Sequence, residues 1–183
     1  MCVGSRIIAM TETRSPNQFL ACGGAWVVVQ FVLMTGVIAL GLMFHADWAG
    51  LPVIAAGAVM FGVGGCFGIA GVFVLGRNLT PYPQPREGSE LVQHGIFAWV
   101  RHPLYTSVML ASLGWALIWQ SVVSLVAALV LIPFFHAKAR REERWLRERF
   151  AGYEDYARRV PRFIPRVRLM ATRVRDFCRP SGR

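Results

Sequence analysis

The chain has 183 residues, 55% of them hydrophobic and 16% charged, and a formal net charge of +10. Soluble domains carry nearer a quarter of their residues as charges, and one domain of this length cannot bury the charge-free runs described next, so a soluble globular protein is excluded. The positive surplus does not indicate nucleic acid, because nearly all of it follows the last apolar run, where it suits anionic lipid headgroups.

The first run, Phe19 to Phe44, holds no charged side chain and only one strongly polar one, Gln30. Asp47 follows in a tight loop, and Leu51 to Leu75 is again free of charge. Each run exceeds the roughly 18 residues that mark a membrane span. The second carries Gly57, Gly62, Gly64, Gly65, Gly68 and Gly71, and glycine in a membrane helix lets backbones approach closely. The first run is too long for a signal peptide and shows no small-residue cleavage site. Cys2, Cys22, Cys66 and Cys178 form no close pair and no zinc spacing, so neither a structural metal nor a disulfide framework is expected. Cys22 and Cys66 read as small apolar fillers.

A connection stiffened by Pro81, Pro83 and Pro85 follows, with Arg77 and Arg86 within it. It leads through Gly95 to Arg101-His102-Pro103-Leu104-Tyr105. Pro103 suits the first position of a helix, which puts Arg101 and His102 at a helix N-terminus whose amides suit an anionic ligand group. Equally, Arg101 snorkels to lipid phosphate and His102 caps the helix. The uncharged run from Leu104 to Phe135 is too long for one span and short for two. With Trp119-Gln120-Ser121 as a polar turn, two spans forming a hairpin are expected. The first opens near His102 or Pro103, and the second carries on past His136, with Pro133 bending its exit. Four spans then place Arg6 and Arg14, the connection, and everything from Lys138 onward on one side. By the positive-inside rule both termini are cytoplasmic, in the inner membrane if the cell is bacterial.

After Lys138 the sequence is charged and helical in pattern. Glu142, Trp145, Leu146 and Arg149 share one face, with Glu143 beside it. Arg144 and Glu148 read as surface pairs stitching that helix, whereas Glu142 and Glu143, close to the membrane exit, suit a ligand ammonium group. Tyr153 and Tyr156 sit on one helical face, and Pro161 and Pro165 bracket a short extended piece. Arg173, Arg175, Arg179 and Arg183 read as a headgroup-facing tail. The expected fold is an all-α integral membrane protein of four transmembrane helices, the last two a hairpin, plus a cytoplasmic C-terminal helical segment. Residues 1–75 hold the first two helices, 76–165 the core, and 166–183 the basic tail.

Gly95, Arg101-His102-Pro103 and Tyr105, followed by Glu142-Glu143, Leu146, Phe150, Tyr153, Tyr156 and Val160-Pro161-Arg162-Phe163-Ile164-Pro165, resemble the signature of the isoprenylcysteine carboxyl methyltransferase family and the related phospholipid N-methyltransferases. The resemblance covers residues 76–165. It implies S-adenosylmethionine as cofactor, held between the last two spans and the segment after them. Arg101, His102, Pro103, Tyr105, Glu142 and Glu143 would line the cofactor, Tyr153 and Tyr156 would help close its site, and Arg101, Glu143 and Arg162 would carry the catalytic roles, Arg162 on the substrate side. Ser107 departs from a common glycine and Ala151-Gly152 shifts a usual Phe-Gly, the first narrowing the pocket.

Glu142 or Glu143 would pair with the cofactor ammonium, and Arg101 with the helix-start amides would meet its carboxylate. Methyl transfer needs alignment and a desolvated acceptor rather than a protein nucleophile. The implied partner is a lipophilic or prenylated substrate entering from the bilayer lipid, with carboxyl O-methylation of an isoprenylcysteine-like acid foremost. A phospholipid amine, a small thiol, a reductase-like relative and a non-enzymatic scaffold with a lipid-binding tail are the other readings.

Overall fold

The computed structural model describes residues 23–47, 49–76 and 91–165. The sequence readings on Arg6, Arg14, Cys2, Cys22, the Pro81–Pro85 connection with Arg77 and Arg86, and the tail with Cys178 and Arg173 to Arg183 lie outside these residues.

Helix α1 (Gly24–Met43) and helix α2 (Gly50–Leu75) take up the first two apolar runs, with 20 and 26 residues. Gly23 opens α1 at φ 86°, a left-handed conformation that suits glycine. A 3-10 turn (Gly95–Ala98) precedes helix α3 (Pro103–Ile118). Gly95 is needed there twice over: its φ is +59°, and a β-carbon on it would lie 2.7 Å from Val74 Cγ2 of α2. Helix α4 (Val122–Arg149) is continuous through Pro133 for 28 residues, and helix α5 (Tyr153–Arg159) follows.

The expectation of four spans with a terminal hairpin of two of them is corrected. Among the described residues three helices, α1, α2 and α4, are long and apolar enough to cross a membrane. Helix α3 has 16 residues, and at 1.5 Å per residue it reaches about 24 Å, short of the ~30 Å hydrocarbon core. The missing length went to α4. The uncharged run is cut at Trp119–Ser121, and the second piece gains its 28 residues by taking in the charged stretch after His136. Cys66 is free and exposed on α2 rather than packed as a filler.

Helix α3 packs along α2 through glycines. Gly57, Gly64 and Gly71 are the buried residues of α2. A β-carbon on Gly57 would sit 2.8 Å from Gly114 O, one on Gly64 2.8 Å from Ala111 N, and one on Gly71 3.0 Å from Leu104 Cδ2. The pairing runs backwards along α3, so the two helices are antiparallel and touch backbone to backbone. Ser107 lies against Gly68 in this interface, so the bulk expected to narrow the pocket falls between helices instead.

At the Asp47 end, Ser121 caps α4 by accepting from Ser124 N–H. Gln120, at φ 48°, accepts from Ala49 N–H at 2.7 Å and donates to Asp47 Oδ1 at 3.3 Å. Ser124 donates to Val37 O at 2.8 Å, tying α4 to α1. The buried core between α1, α3 and α4 is built on Val37, Met109, Ala128, Leu131 and Phe135. Large apolar side chains such as Phe31, Val32, Leu51, Phe73 and Val126 are exposed on the outer faces, as lipid-facing surfaces require.

Candidate functional site

The polar residues gather at the end of the bundle opposite Asp47. Residues 160–165 lie across the opening of α3: Arg101 N–H donates to Pro161 O at 2.9 Å, His102 N–H to Arg162 O at 3.1 Å, and the Thr106 hydroxyl to Phe163 O at 3.0 Å. The backbone donors of Arg101 and His102, which the sequence offered to an anionic ligand, are therefore already engaged. Pro103 is the first residue of α3 and is buried; having no N–H, it leaves no orphan donor there.

Glu143 is the hub. Its carboxylate is fully buried, and it accepts from Arg162 through both oxygens, from Nε at 2.8 Å and Nη2 at 2.6 Å. His102 Nε2 lies 3.2 Å away, Arg101 Nη2 3.3 Å and Arg147 Nη2 3.6 Å. A buried carboxylate persists only with such compensation. The hydrogen bond to Glu143 holds the Arg162 guanidinium above its ordinary pKa, burial working against it.

Glu142 stands differently. Its side chain is 25% exposed, and both its contacts go to Oε2: the Tyr105 hydroxyl donates at 2.7 Å, and His102 Nδ1 lies 3.6 Å away. The His102 ring thus spans the two carboxylates while stacked on Tyr105, with centroids 5.2 Å apart and planes at 2°. Arg101 points inward to Glu143 rather than snorkelling, and the His102 side chain makes no capping hydrogen bond.

The two tyrosines of α5 part company as well. Both are buried and meet edge to face at 6.0 Å. The Tyr156 hydroxyl donates to Phe97 O at 2.7 Å and so anchors the 3-10 turn. The Tyr153 hydroxyl has no partner among the described residues, and the same holds for Arg101 Nε and Nη1, all three buried. Burial, then the nearby Glu143 charge, pushes the Tyr153 phenol up, keeping it a neutral donor.

Two contributions escaped the sequence reading. Arg147, one turn past Glu143, joins the hub and also bridges to Glu154 at 2.6 Å; the four-residue spacing was the available signal. Buried Lys138 donates to Gln30 of α1 and lies 5.4 Å from the Tyr105 ring centre. Gln30 stood out as a polar residue in a span, but nothing in the sequence ties it to Lys138. Arg144 and Glu148, expected as stitching pairs, are in no ion pair among the described residues.

Residues 52–152 match the family Phospholipid methyltransferase. The chain belongs to this family, within the wider group of membrane methyltransferases that includes the isoprenylcysteine carboxyl methyltransferases. It is similar to the cobalt-zinc-cadmium resistance protein CzcN of Cupriavidus metallidurans, 34% identical over 149 residues, which are 80% of this chain and 64% of that protein. It is 31% identical over 118 residues to the protein-S-isoprenylcysteine O-methyltransferase of Mus musculus, 62% of this chain and 42% of that enzyme. The enzyme of the same name from Schizosaccharomyces pombe is 39% identical over 79 residues, 42% of this chain and 34% of that one. The chain therefore spans less than two thirds of these relatives. Family membership makes S-adenosylmethionine the cofactor against which the site is to be judged. The residues present fit that cofactor: buried donors with no partner among the described residues stand beside a carboxylate, that of Glu142, whose described contacts leave one oxygen uncommitted.

Proposed function

We propose that this protein is an S-adenosylmethionine-dependent methyltransferase acting on a lipophilic acceptor at the cytoplasmic membrane interface, with carboxyl O-methylation of an isoprenylcysteine-like acid as its reaction. The observation that carries the reading is the set of buried partnerless donors, Arg101 Nε and Nη1 and the Tyr153 hydroxyl, next to Glu142 and the saturated Glu143. Bound S-adenosylmethionine supplies a methyl carbon already activated by its sulfonium. Arg101 and Tyr153 would receive the cofactor carboxylate, and Glu142 would take its ammonium. His102 and Tyr105 hold Glu142 in place, and Pro103 fixes where α3 begins. Tyr156 closes the site indirectly, by pinning the 3-10 turn. Arg162, clamped by Glu143, orients the acceptor carboxylate. Alignment and exclusion of water then suffice without a protein nucleophile.

Trp26 near the start of α1 lines the same cavity as Arg144 near the end of α4, so the first and last described helices of the membrane part share the polar end. The basic residues there favour the cytoplasmic side for that end of the bundle. The family match itself favours a phospholipid amine as the second acceptor.

The test is calorimetric binding of S-adenosylmethionine to the detergent-solubilised chain, followed by labelled-methyl transfer to prenylcysteine, phospholipid and thiol acceptors. Wild-type protein should bind, R101A and E142A should weaken binding by about tenfold or more, and prenylcysteine should be labelled fastest. A folded wild type that binds no S-adenosylmethionine would overturn the reading. Label on phospholipid amine alone would replace the acceptor.

A further inference from the structure

Of the five arginines of α4, all but Arg149 line an open cavity of about 530 Å³. Arg140, Arg141, Arg144, Arg147 and Arg162 face it against the single carboxylate of Glu143. That carboxylate is already committed to Arg162, Arg101, His102 and Arg147. Arg140, Arg141 and Arg144 have no acidic partner among the described residues, and Arg141 Nε is buried with no hydrogen-bond acceptor. Arg140 and Arg144 are four residues apart on one helix, a spacing at which like charges repel. Arg141 lies over the Trp145 ring at 5.2 Å, but no described carboxylate balances the three charges, which an anion would.

Its position says which anion. The arginines follow directly on the apolar half of α4, and the cavity's aromatic wall is Trp26, near the start of the membrane helix α1. Tryptophan and arginine at a helix end mark the headgroup level of a bilayer. Guanidinium forks match phosphate oxygens two at a time, which lysines do not. Arg101, His102, Tyr105, Glu142 and Tyr153 are not among the lining residues, so the cavity adjoins the cofactor cluster without coinciding with it.

We infer that this cavity is a binding site for the phosphate group of an anionic membrane phospholipid. Arg140, Arg141 and Arg144 are its dedicated ligands. Arg147 and Arg162 are shared with Glu143, so an occupied cavity abuts the hub that holds Arg162.

The test uses the full chain in uncharged detergent, with lipid binding read by native mass spectrometry. The probes are phosphatidylglycerol, phosphatidylcholine with the same acyl chains, and inorganic phosphate. Phosphatidylglycerol should bind in preference to phosphatidylcholine and survive millimolar inorganic phosphate. R140Q/R144Q should weaken it by about tenfold. R149Q/R158Q removes the same charge from exposed positions outside the cavity and should change it by less than about threefold. Equal binding of the two lipids, or equal losses in the two double variants, would overturn the inference by reducing the effect to general surface charge. Ready displacement by inorganic phosphate would overturn the lipid assignment, leaving a site for a soluble anion. None of these readouts depends on cofactor binding, so the inference and the proposed methyl transfer stand or fall separately.

Discussion

Glu142 and Glu143 are neighbours in sequence, yet their replacement by glutamine should have opposite signatures. In E143Q the side chain keeps its shape and loses its charge. An amide nitrogen then faces one of the Arg162 donors that now reach the two carboxylate oxygens at 2.8 and 2.6 Å. Arg101, only 10% exposed, loses the charge that compensates it. Breaking a buried pair in this way costs about 3–5 kcal/mol, a fall in melting temperature of roughly 6–20 °C for a chain of this size. In E142Q the affected group is partly exposed and engaged through one oxygen, so the loss is about 1 kcal/mol. Thermal unfolding of the solubilised protein by tryptophan fluorescence measures both, and calorimetry with S-adenosylmethionine runs beside it. E143Q should melt far below wild type. E142Q should melt close to it while binding the cofactor about tenfold more weakly. Equal drops in melting temperature would refute the division of labour, as would an E143Q protein that melts normally but no longer binds.

The same melting measurement checks the helix interface: G64A, whose β-carbon would lie 2.8 and 2.9 Å from backbone atoms of α3, should lose about 1–3 kcal/mol, whereas G62A, with open space around it, should be neutral or slightly more stable. Y156F should lose about 1 kcal/mol with its bond to Phe97 O, and Y153F should keep wild-type stability but bind S-adenosylmethionine more weakly. Q30L should destabilise the fold by about 1–3 kcal/mol by stranding the Lys138 ammonium, and K138M/Q30L should recover most of that in a double-mutant cycle.

Much of this arrangement was legible in the chain. The charge-free runs became α1 and α2, and Pro103 marked the first residue of α3. Arg101, His102, Tyr105, Glu142, Glu143, Tyr153 and Arg162 do come together at one end of the bundle. What failed to show was anything decided by tertiary packing. An uncharged run reports what lipid tolerates, not where one helix stops, so Leu104 to Phe135 looked like two spans and yielded one. Helical periodicity put Glu143 beside the main polar face, but only the docking of residues 160–165 makes it the buried carboxylate and uses up the amides of Arg101 and His102. Gln30 and Lys138 lie in elements far apart in the chain, and no local pattern links them.

The strapping of residues 160–165 over the opening of α3 also has a consequence for biosynthesis. All three membrane-crossing helices leave the ribosome ahead of Pro161, Arg162 and Phe163, but their packing is complete only once Phe163 joins the buried core of Val37, Leu131 and Phe135. Until Arg162 arrives, Glu143 lacks its two-pronged partner. The nascent chain therefore passes through a stage in which it is inserted and helical but has no assembled polar site. A chain stopped near residue 159 would remain in that stage permanently, its helices inserted but its core short of Phe163 and its Glu143 short of Arg162.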